Sequence, residues 1–110
     1  MRITTHVLDV TRGSPAAGVG VLLSVRSSEG WRELERTTTG PDGRAAFDPE
    51  AGLRVATYRL RFETGDWFAG AGVRGFWPHV EIAFDVADPA EHHHVPLLLS
   101  PYGYSTYRGS

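Results

Sequence analysis

Cysteine is absent from this 110-residue chain, which excludes a disulfide framework, thiolate nucleophiles and thiolate metal sites. No apolar run approaches the roughly 20 residues that a membrane-spanning helix requires. Residues 1–10 lack the basic, then apolar, then small-residue order of a secretory signal. A cytoplasmic protein is therefore the default expectation, although a lack of cysteine suits any compartment. Charge of one sign is also scarce. The net charge is −2 and no basic face stands out, which argues against a nucleic-acid partner. What remains is a globular composition, 41% hydrophobic and punctuated by 13 glycines and 7 prolines. Such a length makes one domain, residues 1–110, able to bury about 60–65% of the surface of its unfolded chain.

Short alternating runs between turn signals predict an all-β domain. Ile3–Val10 is a β-branched first strand. Val19, Val21, Leu23 and Val25 form one face of a second, and Trp31–Thr39 is a polar strand suited to a sheet edge. Pro41-Asp42-Gly43 is a turn leading into a short strand, Arg44–Phe47. In Leu53–Thr64, Tyr58, Leu60 and Phe62 face one way while Thr57, Arg59, Arg61 and Glu63 face the other. Asp66–Gly72 is the one helix-compatible stretch, with Asp66 as N-cap and Gly72 as stop. Val80–Val86 alternates again. The last twenty residues hold a strand through Val95, Leu97 and Leu99, a Ser100-Pro101 turn and a final strand, Tyr102–Tyr107. About eight strands without crossover helices predict a Greek-key sandwich of two four-stranded antiparallel sheets with one short helix.

The candidate chemistry lies at His6, Arg44, His92, His93, His94, Tyr107, Arg108 and Ser110. His6 shares a strand face with Thr4, Leu8 and Val10, and His94 shares one with Pro96 and Leu98. Both faces oppose the best core stripes of their strands (Ile3 and Val7; Val95, Leu97 and Leu99). Apolar residues on an outer face imply a second burial partner, most simply another subunit. A histidine there is partly desolvated, so its pKa is movable. His92 and His94 on one face, joined by His6, would make three ligands for zinc, but no H-E-x-x-H or similar spacing supports a metal. Taken singly, a strand histidine is more often structural, Arg44 a solvated hairpin residue, and Tyr107 and Arg108 part of a fraying end.

Thr5-His6-Val7-Leu8-Asp9, the Asp42-Gly43-Arg44 turn, His94-Val-Pro-Leu-Leu-Leu-Ser-Pro101 and the closing Tyr104-Ser-Thr-Tyr-Arg-Gly-Ser110 together resemble the 5-hydroxyisourate hydrolases, the transthyretin-related enzymes of urate breakdown. Pro15-Ala-Ala-Gly18 and Thr57-Tyr-Arg-Leu60 fit as well, so the resemblance runs from the first strand to the last residue. Two places depart from the common family pattern: His93, where an aromatic residue is usual, and Thr39-Gly40-Pro41 before Asp42. The resemblance implies a homotetramer, a dimer of dimers, with sites in the channel between dimers. It implies a pocket lined by His6, Arg44, His94, Tyr107, Arg108 and Ser110. It also implies hydrolysis of a cyclic amide in 5-hydroxyisourate with no metal or organic cofactor. The family's carrier branch, transthyretin itself, is the rival reading; it lacks the closing Tyr-Arg-Gly-Ser and the His/Arg set.

Amide hydrolysis needs an activated water, a stabiliser for the developing oxyanion and a proton for the leaving nitrogen. A neutral histidine, His6 or His94, would take the proton from water, and the other would orient that water or protonate the nitrogen. Arg44 offers a planar fork of donors to a carbonyl-bearing ring. Sequence does not choose between the histidines.

Overall fold

The computed structural model describes residues 2–110. Ten strands and one helix follow the alternation: β1 (Ile3–Asp9), β2 (Ser14–Pro15), β3 (Gly20–Ser27), β4 (Gly30–Thr38), β5 (Arg44–Phe47), β6 (Ala56–Phe62), α1 (Thr64–Gly70), β7 (Val80–Val86), β8 (His93–His94), β9 (Leu97–Leu99) and β10 (Tyr104–Thr106). They form two sheets. The four-stranded sheet runs β4-β3-β6-β7 and is antiparallel throughout. In the six-stranded sheet β1 is central, with β2 and β5 along one edge and β8 and β9 along the other, and β10 outside β9.

The two extra strands have local causes. β2 is a two-residue extension of the pairing along β1. Pro96 has no N–H to give to a ladder, so the expected last-but-one strand divides into β8 and β9 around it. Thr5 Oγ1 bridges the break by donating to the Val95 carbonyl at 2.6 Å. One expectation needs correction. β8 and β9 run parallel to β1, so this sheet is not purely antiparallel. The polar strand β4 does lie at a sheet edge, with a bulge at its Leu34, opposite the Leu23–Ser24 step of its partner.

The faces follow the predicted parity. Ile3, Thr5, Val7 and Asp9 point inward and are buried, as are Tyr58, Leu60 and Phe62 of β6 and Val21, Leu23 and Val25 of β3. These residues pack with Phe47, Leu97 and Leu99 into one core between the sheets. Helix α1 closes one end with Phe68 buried. The helix begins two residues before the expected cap: Glu63 occupies the N-cap position without a side-chain bond, and Asp66 lies in the first turn. There its carboxylate meets the positive end of the helix dipole instead of a backbone N–H. Gly72, at φ 71°, stops the helix, donating its N–H to the Ala69 carbonyl. The final strand is shorter than Tyr102–Tyr107, because Ser100 holds the Gly103 carbonyl through both its N–H and its hydroxyl, and Tyr102 is spent in that turn.

Candidate active site

The register of β1 assembles the site. His6 is the Cα partner of Arg44 across the antiparallel β1–β5 pair, and Thr4 is the partner of His94 across the parallel β1–β8 pair. Paired residues point to the same side of a sheet. Thr4, His6, Arg44 and His94 therefore share the outer face, although up to 90 positions separate them in sequence.

Arg44 is aimed by the turn before it. Gly43 has φ 78°, and a Cβ there would lie 2.5 Å from the Val7 carbonyl oxygen, so only glycine fits. The Gly43 carbonyl accepts from the Val7 N–H at 2.8 Å, and the Asp42 carboxylate accepts from the Arg44 N–H at 3.0 Å. His6 Nε2 lies 2.9 Å from the Asp42 carbonyl. A carbonyl only accepts, so Nε2 carries a proton, and a neutral His6 keeps its lone pair on Nδ1.

His94 is held from two sides. Its Nδ1 lies 2.8 Å from Thr4 Oγ1, which is also 2.8 Å from His92 Nε2. On the other side the closing segment folds back across it, with the Gly109 N–H donating to the His94 carbonyl at 2.9 Å. A Cβ on Gly109 would stand 3.0 Å from His94 Cγ and closer still to Cδ2, so the absence of a side chain lets the segment pass over the ring. Burial lowers the His94 pKa, the neighbouring Arg44, His92 and His6 lower it further, and the Thr4 backbone opposes them. The neutral form of the His94 ring is therefore favoured.

A groove of about 620 Å³ lies on this face, lined among others by Arg2, Thr4, Arg44, His92, His94 and Ser110. His94 also borders a smaller hollow of about 250 Å³ between β7 and the closing segment, lined by Phe84, Tyr107 and Arg108. The fold therefore brings Arg44, His94 and Ser110 to one groove with His6 beside Arg44. It sets Tyr107 and Arg108 on the far side of His94. Tyr107 is 57% exposed, and Arg108 pairs with Glu91 at 2.8 Å. His93 points into the core, 5% exposed, with no partner for Nδ1 among the described residues. No group of three or more His, Cys, Asp or Glu side chains is gathered at metal-binding spacing among the described residues. Two contributors escaped the sequence reading. Thr4 was placed on the right face by parity, but its bond to both histidines depends on the pairing partner of β1. Gly109 reads as a turn residue until the chain reversal sets it against His94.

Residues 3–109 match the profile of the HIUase/Transthyretin family. A 5-hydroxyisourate hydrolase of Caulobacter vibrioides is 48% identical over 112 residues, covering 98% of this chain and 97% of that protein. The solved 5-hydroxyisourate hydrolase of Klebsiella pneumoniae superposes with a TM-score of 0.88 at 40% identity, covering all of both chains. Sea bream transthyretin, solved with thyroxine, superposes with a TM-score of 0.89 at 27% identity over 97% of this chain and 93% of that one. Backbone shape therefore does not separate the two branches, but sequence identity does.

Proposed function

Because the chain belongs to the HIUase/transthyretin family, we infer that it hydrolyses 5-hydroxyisourate to 2-oxo-4-hydroxy-4-carboxy-5-ureidoimidazoline in urate catabolism. The observation that carries the reading is the meeting of Thr4, Arg44 and His94 on one groove, with His6 beside Arg44. A groove lined by a guanidinium and imidazoles suits a small, carbonyl-rich ring better than a bulky apolar ligand.

His94, in its neutral form, takes the proton of a water whose oxygen bonds to the ring's amide carbonyl carbon. The Arg44 guanidinium meets the oxyanion that develops there. The C–N bond then breaks, the carbon leaves as a carboxyl group, and the nitrogen takes a proton and becomes the end of the ureido arm. The proton that His94 took from water goes to that nitrogen, and His6, with Nε2 committed to the Asp42 carbonyl, is suited to orienting the water through its Nδ1 lone pair. Acid–base help of this kind contributes about 10²–10⁴-fold in rate. Tyr107, Arg108 and Ser110 complete the substrate lining. Tyr107 and Arg108 face away from the main groove within one chain, so the full pocket is built where subunits meet, in a homotetramer made as a dimer of dimers. No metal or organic cofactor enters these steps. No described helix is long and apolar enough to cross a membrane, and a cytoplasmic location suits a soluble purine intermediate.

The ultraviolet decay of freshly generated 5-hydroxyisourate tests the reading, with and without chelator. Accelerated decay that survives chelation and is lost in His94→Asn supports it. No acceleration by the native protein would return the carrier reading, and loss on chelation would point to a three-histidine metal site.

A further inference from the structure

Thr4 Oγ1 lies 2.8 Å from His94 Nδ1 and 2.8 Å from His92 Nε2. A hydroxyl has one proton to donate and two lone pairs. The three groups therefore form a directed chain, and the direction chosen at Thr4 sets both tautomers together. In one direction His94 Nδ1–H donates to Thr4, whose hydroxyl donates to His92 Nε2. Reversed, Thr4 donates to His94 Nδ1, and a neutral His94 carries its proton on Nε2, where it cannot accept one.

We propose that Thr4 is the positioning residue that fixes His94 as the Nδ1–H tautomer, with His92 as the terminal acceptor, so that the His94 Nε2 lone pair is free for water. Two points favour this direction. His94 Nε2 has no hydrogen-bond partner among the described residues, which leaves it open to an outside group. The reverse direction would put the His92 proton on Nε2 and leave His94 Nδ1 as the acceptor, so the lone pair that a base needs would be spent on Thr4. The charged and titratable groups facing His94 are Arg44 of β5, His6 of β1 and Arg2 just before it. Asp42 in the turn before β5 and Glu91, which pairs with Arg108, supply the nearby negative charge. When His94 takes the proton from water, Nδ1–H keeps its bond to Thr4 and nothing in the chain must turn over.

The proposal rests on His94 as the base, so its test reads tautomers separately from turnover. Imidazole ¹⁵N shifts of the full chain are compared for the native protein, Thr4→Val and Thr4→Ser. Valine keeps the β-branched shape that the strand favours but not the hydroxyl. The expected result is protonated Nδ1 and unprotonated Nε2 at His94 in the native and Ser proteins, and mixed tautomers in Thr4→Val. The kcat of Thr4→Val should fall about 10- to 100-fold with KM nearly unchanged, a part of the whole acid–base contribution, and Ser should restore it. Protonated Nε2 at His94 in the native protein overturns the proposal, and so does an unaltered tautomer in Thr4→Val. A native protein with the expected tautomer and no hydrolysis overturns the reading of function and leaves the Thr4 link standing.

Discussion

Replacing Gly109 by alanine separates the site from the fold. The added Cβ would stand 3.0 Å from His94 Cγ and nearer to Cδ2. Reaching a carbon–carbon separation of about 3.5–4.0 Å requires the ring or the closing segment to move by more than about 1 Å. Either movement loosens the 2.9 Å bond from the Gly109 N–H to the His94 carbonyl or the 2.8 Å contact from Nδ1 to Thr4. The stability at stake is small. One hydrogen bond is worth about 0.5–1.5 kcal/mol, and losing glycine's freedom in the unfolded chain returns about 0.4–1 kcal/mol where the backbone suits alanine. The net loss is about 1 kcal/mol or less. With an unfolding entropy of roughly 0.23 kcal/mol/K for a chain of this length, that lowers Tm by about 4 °C at most. Activity should suffer far more, because a displacement of about 1 Å in a reacting group costs about 100-fold. Hydrolysis of 5-hydroxyisourate and thermal unfolding, measured on the same preparation, give the comparison. Native activity in Gly109→Ala would refute the packing argument. A drop in Tm of more than about 10 °C would show that the segment serves the fold first.

The lowered pKa of His94 gives a direction with pH. Between its folded value and the ordinary imidazole value of about 6.5, the unfolded chain binds more protons, so stability rises with pH across that window and is lost as pH falls through the folded value. The rate should follow the same limb, since the neutral ring is the base; an NMR titration placing His94 above about 6.5 would contradict both. Away from the site, Thr39 Oγ1 accepts from the Val19 N–H at 2.9 Å and donates to the Ala16 carbonyl at 2.7 Å, with the residue 4% exposed. Thr39→Val should cost about 1–3 kcal/mol in urea unfolding, because it strands buried polar groups. A loss below about 0.5 kcal/mol would mean that water reaches them.

The sequence by itself determined which residues face inward. Strand alternation is a local property with a period of two, so Ile3 and Val7, Tyr58 to Phe62, and the opposition of His94 to Val95 were all legible. It also placed His6 and Thr4 on one outer face, set the turn at Asp42-Gly43, and located the stop of the helix at Gly72. The start of that helix was misplaced because Asp66 has the chemistry of a cap, while the chain turns in at Glu63 without one. Only the tertiary structure decided which strands are neighbours. The parallel pairing of β1 with β8 puts Thr4 against His92 and His94 across 88 and 90 positions of chain. The reversal after β10 lays Gly109 on the His94 ring. Periodicity names a face but not a partner. The partner is set by which long-range pairing buries the shared core, and that is a property of the whole chain rather than of any stretch of it.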